Sequence, residues 1–355
     1  MRTAVALVAL AATATVASAN SHGNNQANAR KRHAEVKRSS GYQLTGSYAG
    51  QDLLDQFQFA TGDPLSLFFF GSQNGGLANF VDQQTAWDQG LVEIKNGELH
   101  LRTASWVNPD GQTLNAIKLE SKNTYAEGLY IWDIVRMPQV CGSWPAIWST
   151  GPDWPNGGEI DLVEYVSLQS KNAFSVHTGP GCWAGSTGYT AETMLAGGNA
   201  LNCDALATDS QGCGFRTSQN ATCGVGANAE GAGVYAMEWS NAGIKAWYFP
   251  RNQIPADITS KNPNPWSWSA PDMYISPDGC NPSTYFQPQT IVVNSNICGT
   301  WPEGVWGADA SYAGQVVGSC AALTGAATCR DYALGSASDF SHAYWRIGSF
   351  SVYNY

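Results

Sequence analysis

The chain has 355 residues, of which 43% are hydrophobic and only 13% charged, with a formal net charge of −10. Such a composition excludes a disordered protein, and the acidic balance argues against a nucleic-acid partner or an anionic membrane surface. The length allows one large domain or two small ones.

In chain order, the first predicted element is an export signal. Arg2, the small apolar run from Val5 to Val16 and the Ala17-Ser18-Ala19 cleavage pattern assign residues 1–19 to a signal peptide, the apolar run being too short to span a bilayer. Residues 20–38 form a basic, propeptide-like segment. Its Lys31-Arg32 and Lys37-Arg38 pairs match sites cut by kexin-type processing proteases, the alternative being a basic tail that stays attached. Without residues 1–38 the chain carries 12 basic and 27 acidic residues, a charge near −15. That charge suits a neutral substrate or an acidic extracellular setting.

Residues 39–355 contain no Pro/Ser linker and no internal repeat, so they are expected to form one domain. Leu91 to Lys95, Asn96-Gly97 and Glu98 to Arg102 spell a β-hairpin, because Asn-Gly adopts the positive φ angles of a type I′ turn. A second hairpin is predicted from Gly233 to Trp239 and Gly243 to Phe249, turning through Ser240-Asn241-Ala242. Further strands are predicted at Ala116 to Glu120, Gly128 to Met137, Glu159 to Val166, Ala173 to His177, Thr290 to Asn294 and Trp345 to Tyr353. No long segment has helical periodicity. Many short strands separated by Gly, Pro, Asn and Ser clusters imply an all-β sandwich or barrel.

The nine cysteines (141, 182, 203, 213, 223, 280, 298, 320 and 329) include no C-x-x-C pair, which disfavours a zinc ribbon. In an exported chain they are expected in disulfides, with at least one left over and the pairing open. Asn220-Ala221-Thr222 is a sequon for N-glycosylation at Asn220. The C-terminal residues Ser351 to Tyr355 alternate like a strand, unlike the run of about 10–20 apolar residues that a GPI signal needs.

Charged chemistry concentrates in Gly157-Gly158-Glu159-Ile160-Asp161-Leu162-Val163-Glu164-Tyr165. Strand side chains alternate, so Glu159 and Asp161 share one face, while a regular strand would send Glu164 to the other. A β-bulge at Leu162-Val163 would return Glu164 to the face of Glu159. The two long Glu side chains could then lean over the short Asp toward a common point. This suits a retaining glycosidase, whose carboxyl groups stand ~5–5.5 Å apart. Alone, the E-x-D-x-x-E pattern also fits a solvated polar face or a calcium site.

The flanking motifs narrow this choice. Trp144-Pro145-Ala146-Ile147-Trp148, then Gly158-Glu159-Ile160-Asp161-Leu162-Val163-Glu164, then His177-Thr178-Gly179-Pro180-Gly181-Cys182 appear in the order seen in glycoside hydrolase family 16. The sequence resembles its fungal endo-1,3(4)-β-glucanases, the laminarinases, over roughly residues 45–355. Gly233 to Trp239 and Ala343-Tyr344-Trp345 add to the likeness. The resemblance implies a concanavalin A-like jelly roll of two curved antiparallel sheets with a cleft on the concave face. It implies Glu159 as nucleophile, Asp161 as its assisting acid and Glu164 as acid/base. It further implies His177 beside the acid/base, Trp148, Trp154 and Trp301 as cleft tryptophans, and Lys118 and Asn79 as substrate contacts. Lys118 replaces an arginine common in relatives and loses its forked contact. The loop at Cys298 to Gly304 and Tyr165 after the acid/base also depart from relatives.

The expected activity is endo-hydrolysis, with retention, of β-1,3 or mixed β-1,3/1,4-glucan by a secreted, extracellular or wall-located monomer. The alternatives are a wall-glucan transglycosylase and a non-catalytic β-glucan-binding lectin on the same fold. No cofactor is called for, and a structural calcium ion is left open.

Overall fold

The computed structural model describes residues 41–61 and 76–355. The leader and basic segment expected over residues 1–38 lie outside them. Two eight-stranded antiparallel sheets pack face to face. The front sheet runs Glu192–Thr193, Cys213–Arg216, Ala173–His177, Glu159–Glu164, Ser143–Thr150, Gln289–Ile297, Lys118–Tyr125 and Phe57–Phe59. The back sheet runs Met273–Ile275, Gly243–Pro250, Gly233–Ser240, Gly128–Arg136, Tyr344–Asn354, Glu98–Arg102 and Val92–Lys95, with Gln43–Tyr48 also paired to Tyr344–Asn354. Among the described residues the helices are short, the longest being Cys329–Gly335. This all-β sandwich is the expected jelly roll.

Period-2 alternation builds the core. Ile160, Phe174, Val176, Ile147 and Val293 of the front sheet meet Trp132, Ile134, Tyr235, Met237 and Trp345 of the back sheet. Trp132 stacks on Phe350 with ring centroids 4.2 Å apart. Burying one such ring is worth roughly 1.5–3 kcal/mol. The back sheet is covered on its outer face too. There Leu129, Ile131, Val234, Ala236, Trp247 and Phe249 form a second cluster under Ile254, Ile258 and Trp268. Double coverage explains why Gly128–Arg136 and Gly233–Ser240 are nearly continuous apolar runs, whereas the front strands alternate.

Most predicted strands are present, with shifted ends. Ala116 to Glu120 divides at Ile117 into Leu114–Ala116, which pairs in parallel with Ala78–Phe80, and Lys118–Tyr125 in the front sheet. The Gly233–Ser240 and Gly243–Pro250 hairpin turns through Asn241-Ala242, since Ser240 still pairs with Gly243. Seven strands were not predicted: Gln43–Tyr48, Phe57–Phe59, Ala78–Phe80, Ser143–Thr150, Glu192–Thr193, Cys213–Arg216 and Met273–Ile275. Ser143–Thr150 is central yet contains Pro145, which normally argues against a central strand. Pro145 is accommodated because pairing with the Glu159–Glu164 strand ends at Ala146, leaving a strand neighbour at Pro145 on one side only.

Four disulfides form: Cys141–Cys320, Cys182–Cys280, Cys203–Cys213 and Cys298–Cys329. The leftover thiol is Cys223, which is buried. Two of the bridges secure residues 298–329 beside the front sheet. Gly142, at φ +85°, lies against one of them, where a Cβ would come 2.7 Å from Cys329 Sγ.

Candidate active site

The bulge occurs where the alternation requires it. The register of Glu159–Glu164 shifts between Asp161 and Glu164 against Ala173–His177, and between Asp161 and Val163 against Ser143–Thr150. Leu162 and Val163 are both buried in the core, and Glu164 returns to the face of Glu159 and Asp161. A residue that sequence reasoning missed fastens this irregularity. The buried Asn172 side chain accepts the Glu164 N–H at 2.9 Å and donates to the Leu162 carbonyl at 3.1 Å. The signal available was a lone Asn in the turn before the next strand, too common to single out.

Register across the sheet then lays out the floor. His177, Glu159, Thr150 and Thr290 form one row. Ser175, Asp161, Trp148 and Val292 form the next, followed by Ala173, Glu164, Ala146, Asn294 and Lys118. Directly opposed residues point to the same face, so these side chains share one surface.

His177 Nε2 bonds Asp161 Oδ2 at 3.0 Å and lies 3.8 Å from Glu159 Oε1. Trp144, quoted in the sequence motif but given no role there, donates its Nε1–H to Glu164 Oε1 at 2.8 Å. Its ring meets Trp301 edge to face at 6.0 Å, so Trp301 borders the site through Trp144. Trp154 stands by Glu159 and opposes the rise of its carboxyl, and Trp148 donates Nε1–H to Asn294 Oδ1 at 2.8 Å. Trp148 and Lys118 line a cavity of about 390 Å³ with Thr150, Thr290 and Val292. Lys118 is buried and ion-paired to Glu120 at 2.8 Å. Asn79 stands apart, exposed on the small parallel pair and donating to Asn115 Oδ1 at 2.7 Å.

The departures resolve physically. Tyr165 turns away from the site face into the core, where its hydroxyl donates to the Pro138 carbonyl at 2.6 Å. The Cys298 to Gly304 loop forms a helical turn at Thr300–Gly304. In it Glu303 accepts the N–H groups of Cys329 and Arg330, capping the Cys329–Gly335 helix. Asn220 is exposed, as a glycan acceptor requires. Thr222 also has a structural role, since its hydroxyl accepts the Asn172 N–H at 2.8 Å.

Burial and mutual repulsion set the electrostatics. Burial pushes the Glu164 carboxyl up to about 8, Asp161 adding to it, while the Trp144 bond and the His177 and Arg216 charges oppose the rise. Burial likewise raises Glu159, with Asp161 adding and His177 opposing, and burial raises Asp161. Three neighbouring acids in a dry site cannot all ionise at neutral pH, so the cluster keeps protons there. Glu159, Asp161 and His177 also bring ligand-type atoms within 4.8 Å of one another. Such a group could hold a cation, but calcium prefers added carbonyl and water oxygens over imidazole.

A jelly roll whose front sheet carries two Glu and an Asp on one bulged strand, among tryptophans, defines a glycosidase catalytic domain. The chain belongs to glycoside hydrolase family 16: residues 68–353 match the family model described as the XgeA-like catalytic GH16 domain. It is 33% identical to a probable endo-1,3(4)-beta-glucanase of Aspergillus fumigatus over 90% of this chain and 47% of that protein. It is 32% identical to a probable glycosidase of Schizosaccharomyces pombe, over 92% of this chain and 72% of that protein. Among solved structures it resembles GH16 laminarinase 16A from Phanerochaete chrysosporium with bound beta-glucans. The TM-score is 0.75 and the identity 33%, over 88% of this chain and 99% of that one. The chain spans about half the length of the first curated relatives it matches.

Proposed function

We propose that this chain is an endo-β-glucanase that cleaves β-1,3 or mixed β-1,3/1,4-glucan with retention. The observation that carries the reading is the bulge that returns Glu164 to the face of Glu159 and Asp161. The names of the relatives, including a laminarinase with bound beta-glucans, support the substrate class.

In the first step the Glu159 carboxylate attacks the anomeric carbon while Glu164 gives its proton to the leaving oxygen. The bond to that oxygen breaks and a glycosyl ester forms on Glu159. In the second step Glu164, now a carboxylate, takes a proton from water. The water attacks the same carbon, the ester breaks, and both groups return to their starting states. Asp161, tethered to His177, orients Glu159 and helps keep a proton within the cluster. The ring faces of Trp148 and Trp154 serve the C–H faces of glucosyl units, and Lys118 meets hydroxyls at the far row. The disulfides support passage through an oxidising compartment, consistent with export on residues 1–19 and removal of residues 20–38.

Azide rescue tests the roles. With an activated β-glycoside, Glu159→Ala should give the α-glycosyl azide, because azide enters the vacated face. Glu164→Ala should give the β-glycosyl azide, by displacement of Glu159. The opposite anomers would exchange the two roles. Products on laminarin, lichenan and a β-1,6-glucan test the rest. Shorter chains support hydrolysis, lengthened chains would mean transglycosylation, and unaltered chains would mean a lectin.

A further inference from the structure

Building on the retaining-glycosidase reading, we propose that Arg216 and Tyr312 form a sugar subsite on the leaving-group side of Glu164. Arg216 ends the Cys213–Arg216 strand opposite Ala173, which itself stands opposite Glu164. Arg216 therefore rises on the same face as Glu164, two strand spacings or about 10 Å away. It is only 7% exposed. Its Nη1 donates to Gln169 Oε1 at 3.4 Å and to the Lys171 carbonyl at 3.2 Å. Among the described residues no carboxylate forms an ion pair with it, and Nε and Nη2 make no hydrogen bond. A guanidinium offers five donors in a rigid fork, and the Nε and Nη2 donors of Arg216 keep solvent access, open to a ligand.

Tyr312 covers this cation, with the guanidinium carbon 5.3 Å from the ring centroid. One ring face is thereby taken, yet the residue remains 53% exposed, so the other face is open. The backbone that carries the ring is anchored. The Ala313 carbonyl accepts the N–H groups of Ser170 and Lys171 at 3.0 Å, and the Gly314 carbonyl accepts the Ser170 hydroxyl at 2.9 Å. Residues 165–172 are the connection that leaves Glu164, so the ring is fixed at the Glu164 end of the strand, away from Glu159.

An acid must touch the leaving oxygen, so sugars released with that oxygen lie on the side of Glu164 that faces away from the nucleophile. An open aromatic face beside unspent donors matches a pyranose, whose C–H face stacks while its hydroxyls accept at the rim. An anionic ligand would meet the acidic cluster and the overall negative charge, which leaves a neutral glucosyl unit as the occupant.

The test compares two substrates that share the same donor sugars. One is a β-1,3-gluco-oligosaccharide with at least two glucosyl units on the leaving side, and the other a nitrophenyl glycoside whose leaving group is the phenol. For Tyr312→Ala the ratio of kcat/KM on the oligosaccharide to that on the nitrophenyl glycoside should fall about tenfold, chiefly through KM. Arg216→Lys should lower the same ratio, and Tyr312→Phe should restore it. A ratio that stays at the wild-type value in Tyr312→Ala would overturn the proposal, since a merely structural role lowers both terms together. Wild-type protein inert on both substrates would instead sink the glycosidase reading itself.

Discussion

At the scale of single residues, the site is tuned by neighbours that never touch the scissile bond. Trp144 donates to Glu164 and lowers its affinity for a proton. Trp144→Phe keeps the ring contact with Trp301 and removes only the donor. The alkaline limb of kcat/KM, where the acid loses its proton, should then move to higher pH, as a pH–rate profile will show. His177 acts on the other carboxylate, its charge opposing the rise of Glu159. His177→Leu removes that help and leaves Asp161 without its 3.0 Å partner. The acid limb, where the nucleophile must ionise, should move upward, with kcat/KM falling about 10²-fold or more at acidic pH. The glutamates and His177 were legible because carboxylates alternating with Ile and Leu are costly unless used. Trp144 was not, because nothing in a W-P-A-x-W run says which indole stacks and which donates.

At the scale of elements, the bulge and its clasp decide whether the strand is chemical or merely polar. Asn172→Ala would leave the Glu164 N–H buried and unmatched, at a cost of about 1–3 kcal/mol. It would also loosen the position of Glu164. Denaturant unfolding should report the loss of stability, and kcat should fall more than KM rises. Asn172→Asp keeps an acceptor for that N–H but turns an oxygen onto the Leu162 carbonyl in a buried site, so it should recover little of the stability at neutral pH. The Asn96-Gly97 turn gives a cleaner case. Asn96 and Gly97 have φ of +53° and +77°, and a Cβ at Gly97 meets nothing within 4 Å. Gly97→Ala should therefore cost only the backbone strain of roughly 1–2 kcal/mol, with activity retained. This hairpin was legible because its turn chemistry is local. The bulge was legible only through its consequence, since regular pleating would have buried Glu164. Ser143–Thr150 was hidden by Pro145, and the division at Ile117 by neighbours far away in sequence. Both are set by which strand ends where, a property of the sheet rather than of the segment.

At the scale of the whole molecule, the acidic cluster couples the site to the stability of the fold. When folded, burial and mutual repulsion hold the protons of the Glu159–Asp161–Glu164 cluster well above the ordinary carboxylate range, Glu164 up to about 8 against an ordinary value of 4.5. Between these limits the folded chain holds protons that the unfolded chain releases, so stability must fall as pH rises from about 5 to about 8. Thermal midpoints across that range should decline, and the decline should be shallower in Glu164→Gln, which has no proton to lose. The two-sheet architecture was legible from strand spacing and motif order, because alternation is enforced along the length of each front strand. The disulfide pairing was not, because it joins residues as far as 179 positions apart. That pairing has a consequence for how the protein can be made. The Cys141–Cys320 and Cys298–Cys329 bridges secure the segment carrying Trp301 and Tyr312, whereas the carboxylate strand, which carries no cysteine, is held by sheet hydrogen bonds, the Asn172 side chain and core packing. Expression in a reducing cytosol should therefore separate the two halves of the job. Such material would keep a scissor with a sound blade and a slack grip, still cutting small chromogenic glycosides but gripping polymer poorly until it is oxidised.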